Sequence, residues 1–227
     1  MRVTAALSLF LLALLVGPEP ARAGSDLLIG VHDYSIKWTD RPAPILGAMR
    51  NLGLGGMRVT LEWRPGKRHL SGSDHDALRR AVAAKGYGVR TVLGVYGRAA
   101  DAPHDPAARE DYCRFVRNVL LRYGEVRDVV IWNEANSDTF WLPPESAPAE
   151  YEALLAHCWD LLHASVPGIN VLTTTASSHD PAAFIRGVGA AYRASGRQRP
   201  LLTTCGRRSS PDSGDSTADA SSSGAAI

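Results

Sequence analysis

Residues 128–136 read DVVIWNEAN, an apolar run that leads directly into an amide and a carboxylate. A short apolar run of this kind is typical of a buried strand in a parallel sheet. Asn133 and Glu134 would then stand at the carboxyl end of that strand, where parallel α/β folds bind their ligands. The residues alone leave a second interpretation open, in which the pair only ends the strand and begins a loop.

Strands and helices are predicted to alternate on both sides of this stretch. Apolar runs predict strands at 27–31, 56–63, 89–96, 128–132 and 171–175, and the start of a sixth at 200–203. Apolar residues at helical spacing predict helices at 44–52, 74–85, 106–123, 148–165 and 180–194. This alternation indicates parallel strands with right-handed crossovers, in either a doubly wound open sheet or an eight-stranded barrel.

Two observations favour the barrel. No glycine-rich phosphate turn follows the first predicted strand, so a dinucleotide-binding open sheet loses its main support. Polar side chains also collect at the predicted strand ends, among them His32, Glu62, Tyr96 and Glu134. A barrel places its active site at this edge. A complete barrel takes about 250 residues, so we expect 24–203 to form an incomplete (β/α)8 TIM barrel of five β/α units and the start of strand six.

Composition excludes several other classes of protein. The 227 residues are 45% hydrophobic and 21% charged, as in a soluble globular protein, and the net charge is +2. That charge gives no general attraction to nucleic acid or to an anionic membrane. The seven histidines have no metal-binding spacing, and neither His-Glu-x-x-His nor Cys-x-x-Cys occurs. We therefore expect no metal and no cofactor.

Both ends of the chain are predicted to lie outside the fold. Arg2, the apolar run at 5–16 and the small-x-small site at 21–23 indicate a signal peptide over 1–23, cleaved after Ala23, and hence a secreted protein. Residues 204–227 are mostly Ser, Asp, Ala and Gly and are expected to be disordered. We attribute them to a reading-frame shift near 203–206, with roughly 100 further barrel residues encoded downstream in another frame.

Cysteines and tryptophans each leave two interpretations. Cys113 and Cys158 fall on consecutive predicted helices. Because Cys158 lies on an apolar stripe, free buried thiols are expected, with a disulfide after export as the alternative. Trp38, Trp63 and Trp141 fall near predicted loop ends, where an aromatic face would either stack on a sugar or pack in the core.

The sequence Trp132-Asn133-Glu134, after an apolar strand in the fourth β/α unit, resembles strand four of clan A glycoside hydrolases, the family 5 cellulase-like and family 39-like barrels. Arg58 on the second predicted strand and Tyr96 at the end of the third agree in order and spacing, and the resemblance covers about 27–203. It implies retaining hydrolysis of a glycosidic bond by two carboxyl groups.

The resemblance also implies roles for individual residues. Glu134 would be the acid/base, Asn133 would bind the hydroxyl beside the anomeric carbon, and Arg58 would steady the nucleophile. Tyr96, His32 and Trp141 are further candidates for substrate binding. The family's nucleophile is a Glu at the end of strand seven, beyond the strands predicted here.

Two main hypotheses for function follow. The first is a secreted glycoside hydrolase with a polysaccharide or oligosaccharide substrate. The second is a truncated, catalytically inactive barrel that at most binds carbohydrate, because the part bearing the nucleophile is missing. Another barrel enzyme, such as an isomerase or an endonuclease, would need metal ligands at several strand ends, and that pattern is absent from the sequence.

Overall fold

The computed structural model describes residues 28–173 and 180–202. The predicted signal peptide at 1–23, the end of the fifth predicted strand at 174–175 and the predicted tail at 204–227 lie outside the described residues. The predictions made for those segments therefore stay predictions. Among the helices of the described ranges, none combines the length and the apolar character needed to span a membrane.

Five parallel strands and five main helices alternate along the described chain. The strands are β1 (Gly30–His32), β2 (Gly56–Glu62), β3 (Arg90–Tyr96), β4 (Asp128–Ile131) and β5 (Asn170–Leu172). The helices are α1 (Pro42–Asn51), α2 (Gly72–Val82), α3 (Pro106–Arg122), α4 (Ala147–Ser165) and α5 (Pro181–Ala194). The strands pair in chain order, each parallel to the next. This α/β arrangement is that of a partial TIM barrel, as predicted.

The predicted start of a sixth strand is wrong within the described residues. Leu201 and Leu202 form a bend instead of a strand. The Tyr192 hydroxyl donates to the Arg199 carbonyl at 3.1 Å, and the Arg197 guanidinium donates to the Pro200 carbonyl at 3.1 Å. These local bonds tie the segment to the end of α5, so its apolar residues do not extend along the sheet.

The hydrophobic core lies between the sheet and the helices that cover one of its faces. Along β2, Met57, Val59 and Leu61 are buried while Arg58 and Glu62 remain partly exposed. Successive strand residues point to opposite faces, so the apolar set meets the helices and the polar set faces the other side. On α3 the predicted apolar stripe is buried, from Tyr112 through Phe115, Val116, Val119 and Leu120.

Helix starts are set by local side-chain caps. The Ser71 hydroxyl accepts a hydrogen bond from the Asp74 amide, and the Asp74 carboxylate accepts one from the Ser71 amide, which together form a capping box at α2. Asp105 and Asp180 accept bonds from the third helical amides of α3 and α5, each just before a proline. Such signals are short-range, so these helix starts lie within a few residues of the predicted ones.

The cysteines correct one expectation. Cys113 of α3 and Cys158 of α4 form a disulfide, with their Cα atoms 5.0 Å apart. The prediction of free buried thiols was therefore wrong. Consecutive helices of a parallel α/β fold lie side by side, and here both cysteines are fully buried in the same core. The apolar stripe that suggested a buried thiol also faces the neighbouring helix.

Candidate active site

The chain turns sharply at the carboxyl end of β4. Pairing with β3 stops at Ile131, and both Trp132 (φ 64°) and Glu134 (φ 36°) adopt left-handed backbone conformations. Non-glycine residues rarely adopt this region, and such strain concentrates where a site needs a particular geometry. Two strained residues therefore flank Asn133.

Two buried tyrosines hold the strand end in place. The Tyr112 hydroxyl donates to the Val95 carbonyl at 2.8 Å and accepts from the Trp132 amide at 2.9 Å. The Tyr151 hydroxyl donates to the Ile131 carbonyl at 2.9 Å. Backbone groups that leave the sheet thus keep hydrogen-bond partners without water. The turn that carries Asn133 and Glu134 is anchored from both α3 and α4.

Trp132 lies in the core. It is fully buried, its Nε1 donates to the Phe140 carbonyl at 2.8 Å, and its ring meets Trp63, Tyr112 and Trp141 edge-on. Gly97 leaves room for this ring, since a Cβ there would stand 2.7 Å from Trp132 Cη2. Trp132, next to Asn133, thus packs in the core and fixes the position of the strand end.

The proposed stacking role of Trp141 is wrong for this structure. Its side chain is fully buried and offers no ring face to a sugar. Its Nε1 donates to Glu150 Oε2 at 3.0 Å, and His104 Nδ1 lies 2.7 Å from the same oxygen. Although burial acts to raise it, these bonds hold the pKa of Glu150 below its usual value.

The other two candidate tryptophans differ from each other in exposure. Trp63 is buried like Trp141, whereas Trp38 is 71% exposed and is the accessible indole among the three candidates.

Arg58 and Asn133 meet across the intervening strand β3. Arg58 Nη2 donates to Asn133 Oδ1 at 3.1 Å. Gly94 of β3 makes this possible, because a Cβ there would stand 2.9 Å from Arg58 Nε. Burial lowers the pKa of Arg58, and the nearby carboxylate of Glu134 acts in the opposite direction. Arg58, Asn133 and Glu134, three of the predicted site residues, therefore lie close together.

His32 and Tyr96 lie on the same side of the sheet. His32 pairs in register with Arg58, and its ring centroid lies 4.6 Å from that of Tyr34. Burial, together with the charges of Arg58 and Lys37, lowers the pKa of His32. Burial and the neighbouring Tyr34 and Glu62 raise the pKa of Tyr96.

Beside these residues opens a cleft of about 650 Å³. Its lining is mostly polar and aromatic: Tyr34, Lys37, Trp38, Glu62, Arg64, Lys67, His69, Leu70, Ser71, Ser73, Asp74, Ala77 and Tyr96. Sequence reasoning missed Tyr34 and Lys37, although both follow closely after the polar end of the first strand. Tyr96 ends β3, the strand between those that lead to Arg58 and Asn133, so the cleft opens beside the site at the end of β4.

The described residues contain no cluster of potential metal ligands. Within 28–173 and 180–202, no three His, Cys, Asp or Glu side chains come together in a way that could hold an ion. The groups present at the site are a carboxyl, an amide, a guanidinium, an imidazole and phenols. Such a set can bind hydroxyl groups and transfer a proton.

Comparison with known proteins establishes the fold. No family profile matches the sequence, and no curated protein is significantly similar to it. The structure is similar to the β-glycosidase BGL167, with a TM-score of 0.56 and 14% identity over 74% of this chain. It is also similar to a family 39 glycoside hydrolase from the gut symbiont Bacteroides cellulosilyticus WH2, with a TM-score of 0.51 and 16% identity over 64% of this chain.

These matches span 62% and 31% of the two neighbours' own lengths. At such low identity the likeness shows the fold alone. The described β/α units have the fold of clan A glycoside hydrolases, which agrees with the resemblance of the Trp-Asn-Glu segment.

Proposed function

We propose that this chain carries the acid/base half of a retaining glycoside hydrolase site, with Glu134 as the proton donor and a polysaccharide or oligosaccharide as substrate. The observation that supports this most is the hydrogen bond from Arg58 to Asn133, made across β3 beside Glu134. It assembles residues from two non-adjacent strands at the edge where barrels perform their chemistry.

Each residue has a distinct task in this proposal. Glu134, half-buried at the strand end, protonates the leaving oxygen and later takes a proton from water. Since Asn133 Oδ1 accepts from Arg58, its Nδ2 amide hydrogens are left for the hydroxyl beside the anomeric carbon. Arg58 Nε is buried and has no hydrogen-bond partner among the described residues. By the resemblance, this guanidinium would steady a second carboxylate.

That second carboxylate is the nucleophile of the two-step reaction, which forms a covalent glycosyl intermediate before water displaces it. The resemblance puts it at the end of a seventh strand, whereas the described residues supply five strands. The proposal therefore assigns to this chain the acid/base and the groups that orient the sugar.

Export to an oxidising compartment is part of the same proposal. The disulfide between Cys113 and Cys158 is of the kind that persists outside the cytosol. It accords with the signal peptide expected at 1–23, whose cleavage after Ala23 would be seen by N-terminal sequencing of secreted material.

The proposal is tested by hydrolysis with the full chain. Aryl β-glycosides and β-glucan, mannan and xylan oligosaccharides are the substrates, and Glu134→Gln is expected to lower kcat by about 10²- to 10⁴-fold. The loss should shrink for dinitrophenyl glycosides, whose leaving group needs little protonation. Glu145→Gln, at an exposed position away from the cleft lining, is the matched control and should keep full activity. Turnover that survives Glu134→Gln on every substrate would refute the role of Glu134.

A carbohydrate-binding partial barrel is the second candidate. It is favoured by the exposed indole of Trp38 in the lining of the cleft, because stacking a sugar on that ring needs no nucleophile. Binding of an oligosaccharide without turnover, weakened by Asn133→Ala, would support this candidate over the enzyme.

A further inference from the structure

The cleft beside the site has an uneven charge balance. Three cationic side chains line it, Lys37, Arg64 and Lys67, against two carboxylates, Glu62 and Asp74. How these charges pair with one another indicates what kind of ligand the cleft would accept.

Lys67 is already satisfied within the protein. Its Nζ lies 2.8 Å from Asp74 and donates to the Glu62 carbonyl at 2.6 Å. The carboxylate of Glu62 faces Arg98, whose Nε lies 3.7 Å from Glu62 Oε1. Both carboxylates of the cleft therefore have a cationic neighbour other than Lys37.

Lys37 differs from Lys67 in this respect. Its Nζ makes no hydrogen bond or ion pair with the residues described here, although the side chain is only partly exposed. It lies 5.4 Å from the ring centroid of Tyr34 and 5.7 Å from that of Trp38. The main chain beneath it is held by Arg80, which donates to the Lys37 carbonyl at 2.7 Å. Burial lowers the pKa of Lys37, while Asp74 and Glu62 act to raise it.

The Lys37 ammonium lies over both rings and has no ion-paired carboxylate among the described residues, so it can pair with an anion brought in by a ligand. Trp38 and Tyr34 are 71% and 48% exposed, so both offer ring surface to a ligand. A sugar ring packs its apolar face on such a surface, and an acidic substituent then reaches the ammonium.

We propose that the cleft binds an anionic sugar unit, with a carboxylate or sulfate group on Lys37 and the ring against Trp38. The inference rests on the proposed function and narrows its substrate to acidic polysaccharides. Tyr96 lines the cleft at the end of β3, between the strands that lead to Arg58 and Asn133, and its ring centroid lies 6.0 Å from that of Phe140 in the segment after Glu134. In this inference, a unit bound in the cleft therefore belongs to the same chain of sugars as the unit at Glu134.

Calorimetric titration of the full chain tests this inference. The probes are cellotetraose, its C6-oxidised tetrauronide and its 6-O-sulfated form, which share linkage and length and differ in charge. We expect one or both anionic probes to bind about tenfold more tightly than cellotetraose, and the preference to weaken in high salt. The anionic probe that shows the gain identifies the acidic group.

Three variants separate the contributions. Lys37→Met keeps the apolar stem and should abolish the anionic preference while leaving cellotetraose binding within twofold. Trp38→Ala should weaken all probes to a similar extent. Lys85→Met, an exposed lysine outside the cleft, should change nothing.

Equal binding of neutral and anionic probes, or a preference that survives Lys37→Met, would overturn the inference and leave the proposed function standing. Failure of all three probes to bind would also overturn the inference, and the hydrolysis test with mannan and xylan substrates would then decide the proposed function separately.

Discussion

At the scale of single residues, the site depends on a backbone turn that would be unfavourable without support. Trp132 and Glu134 both hold left-handed conformations, which cost of order 1–3 kcal/mol each in non-glycine residues. Tyr112 supplies the buried hydroxyl that accepts from the Trp132 amide at 2.9 Å. The position of the Glu134 carboxyl group thus depends on the Tyr112 hydroxyl, which comes from α3.

Tyr112→Phe tests this dependence. The variant leaves the Trp132 amide buried without an acceptor, and we expect the free energy of unfolding to fall by about 1–3 kcal/mol. Denaturant unfolding measures the change. Tyr192→Phe is the control, because its bond to the Arg199 carbonyl is exposed and water replaces it. Equal losses for the two variants would contradict the anchoring role of Tyr112.

At the scale of elements, α3 and α4 act as a joined pair. They are linked by the Cys113–Cys158 disulfide, and His157, next to Cys158, places its Nε2 2.5 Å from Oε2 of Glu110 on α3. The same two helices contribute Tyr112 and Tyr151 to the end of β4. A covalent link between them therefore also steadies the turn that carries Glu134.

Removing the disulfide should lower stability measurably. The bond closes a separation of 45 residues, for which the chain-entropy model gives about 4 kcal/mol. We expect the double variant Cys113→Ala, Cys158→Ala to lose about 3–4 kcal/mol in the free energy of unfolding. Reductant should lower the Tm of the wild type and leave that of the double variant unchanged. A wild type indifferent to reductant would show that the bond contributes little.

At the scale of the whole molecule, ion pairs connect successive β/α units. Asp160 of α4 accepts from Arg197 at 2.7 and 2.8 Å, and Glu150 accepts from His104, which follows β3. Hydrogen bonds from Arg197 lower the pKa of Asp160, and those from His104 and Trp141 outweigh burial and lower that of Glu150. Ionisation of these carboxyls is thus linked to folding.

The pH dependence of stability follows from the direction of these shifts. A carboxyl whose pKa is lower in the folded state stabilises the fold above its unfolded pKa, and this stabilisation is lost as pH falls through the folded pKa. The ordinary values are 3.8 for Asp160 and 4.5 for Glu150. We therefore expect the Tm to fall by roughly 5 °C or more between pH 5 and pH 3.

Variants at single carboxyls test that origin. Asp160→Asn should reduce the fall in Tm, because the titrating group is gone. Glu125→Gln, at an exposed position, should leave it unchanged. If calorimetric scans show the same fall in Asp160→Asn as in the wild type, the ion pair of Asp160 with Arg197 is not its cause.

Much of the fold could be predicted because its signals are local. Apolar alternation, proline after Asp105 and Asp180, and polar residues at strand ends each depend on a few neighbouring residues. The strands and helices of the described chain therefore lie within a few residues of their predicted positions. Glu134 and Asn133 were proposed as site residues in the same way, from one apolar run that ends in polar side chains.

The remaining features depend on residues far apart in the chain. Whether Trp141 is buried and Trp38 exposed depends on which rings surround them, and nothing in their immediate sequence differs enough to say so. The Cys113–Cys158 bond and the contact of Arg58 with Asn133 over Gly94 need the helices and strands to be placed side by side. The proposed role of Lys37 depends on tertiary structure in the same way. In the folded chain Asp74 pairs with Lys67, and Lys37 is left as the lysine of the cleft that can bind an anionic ligand.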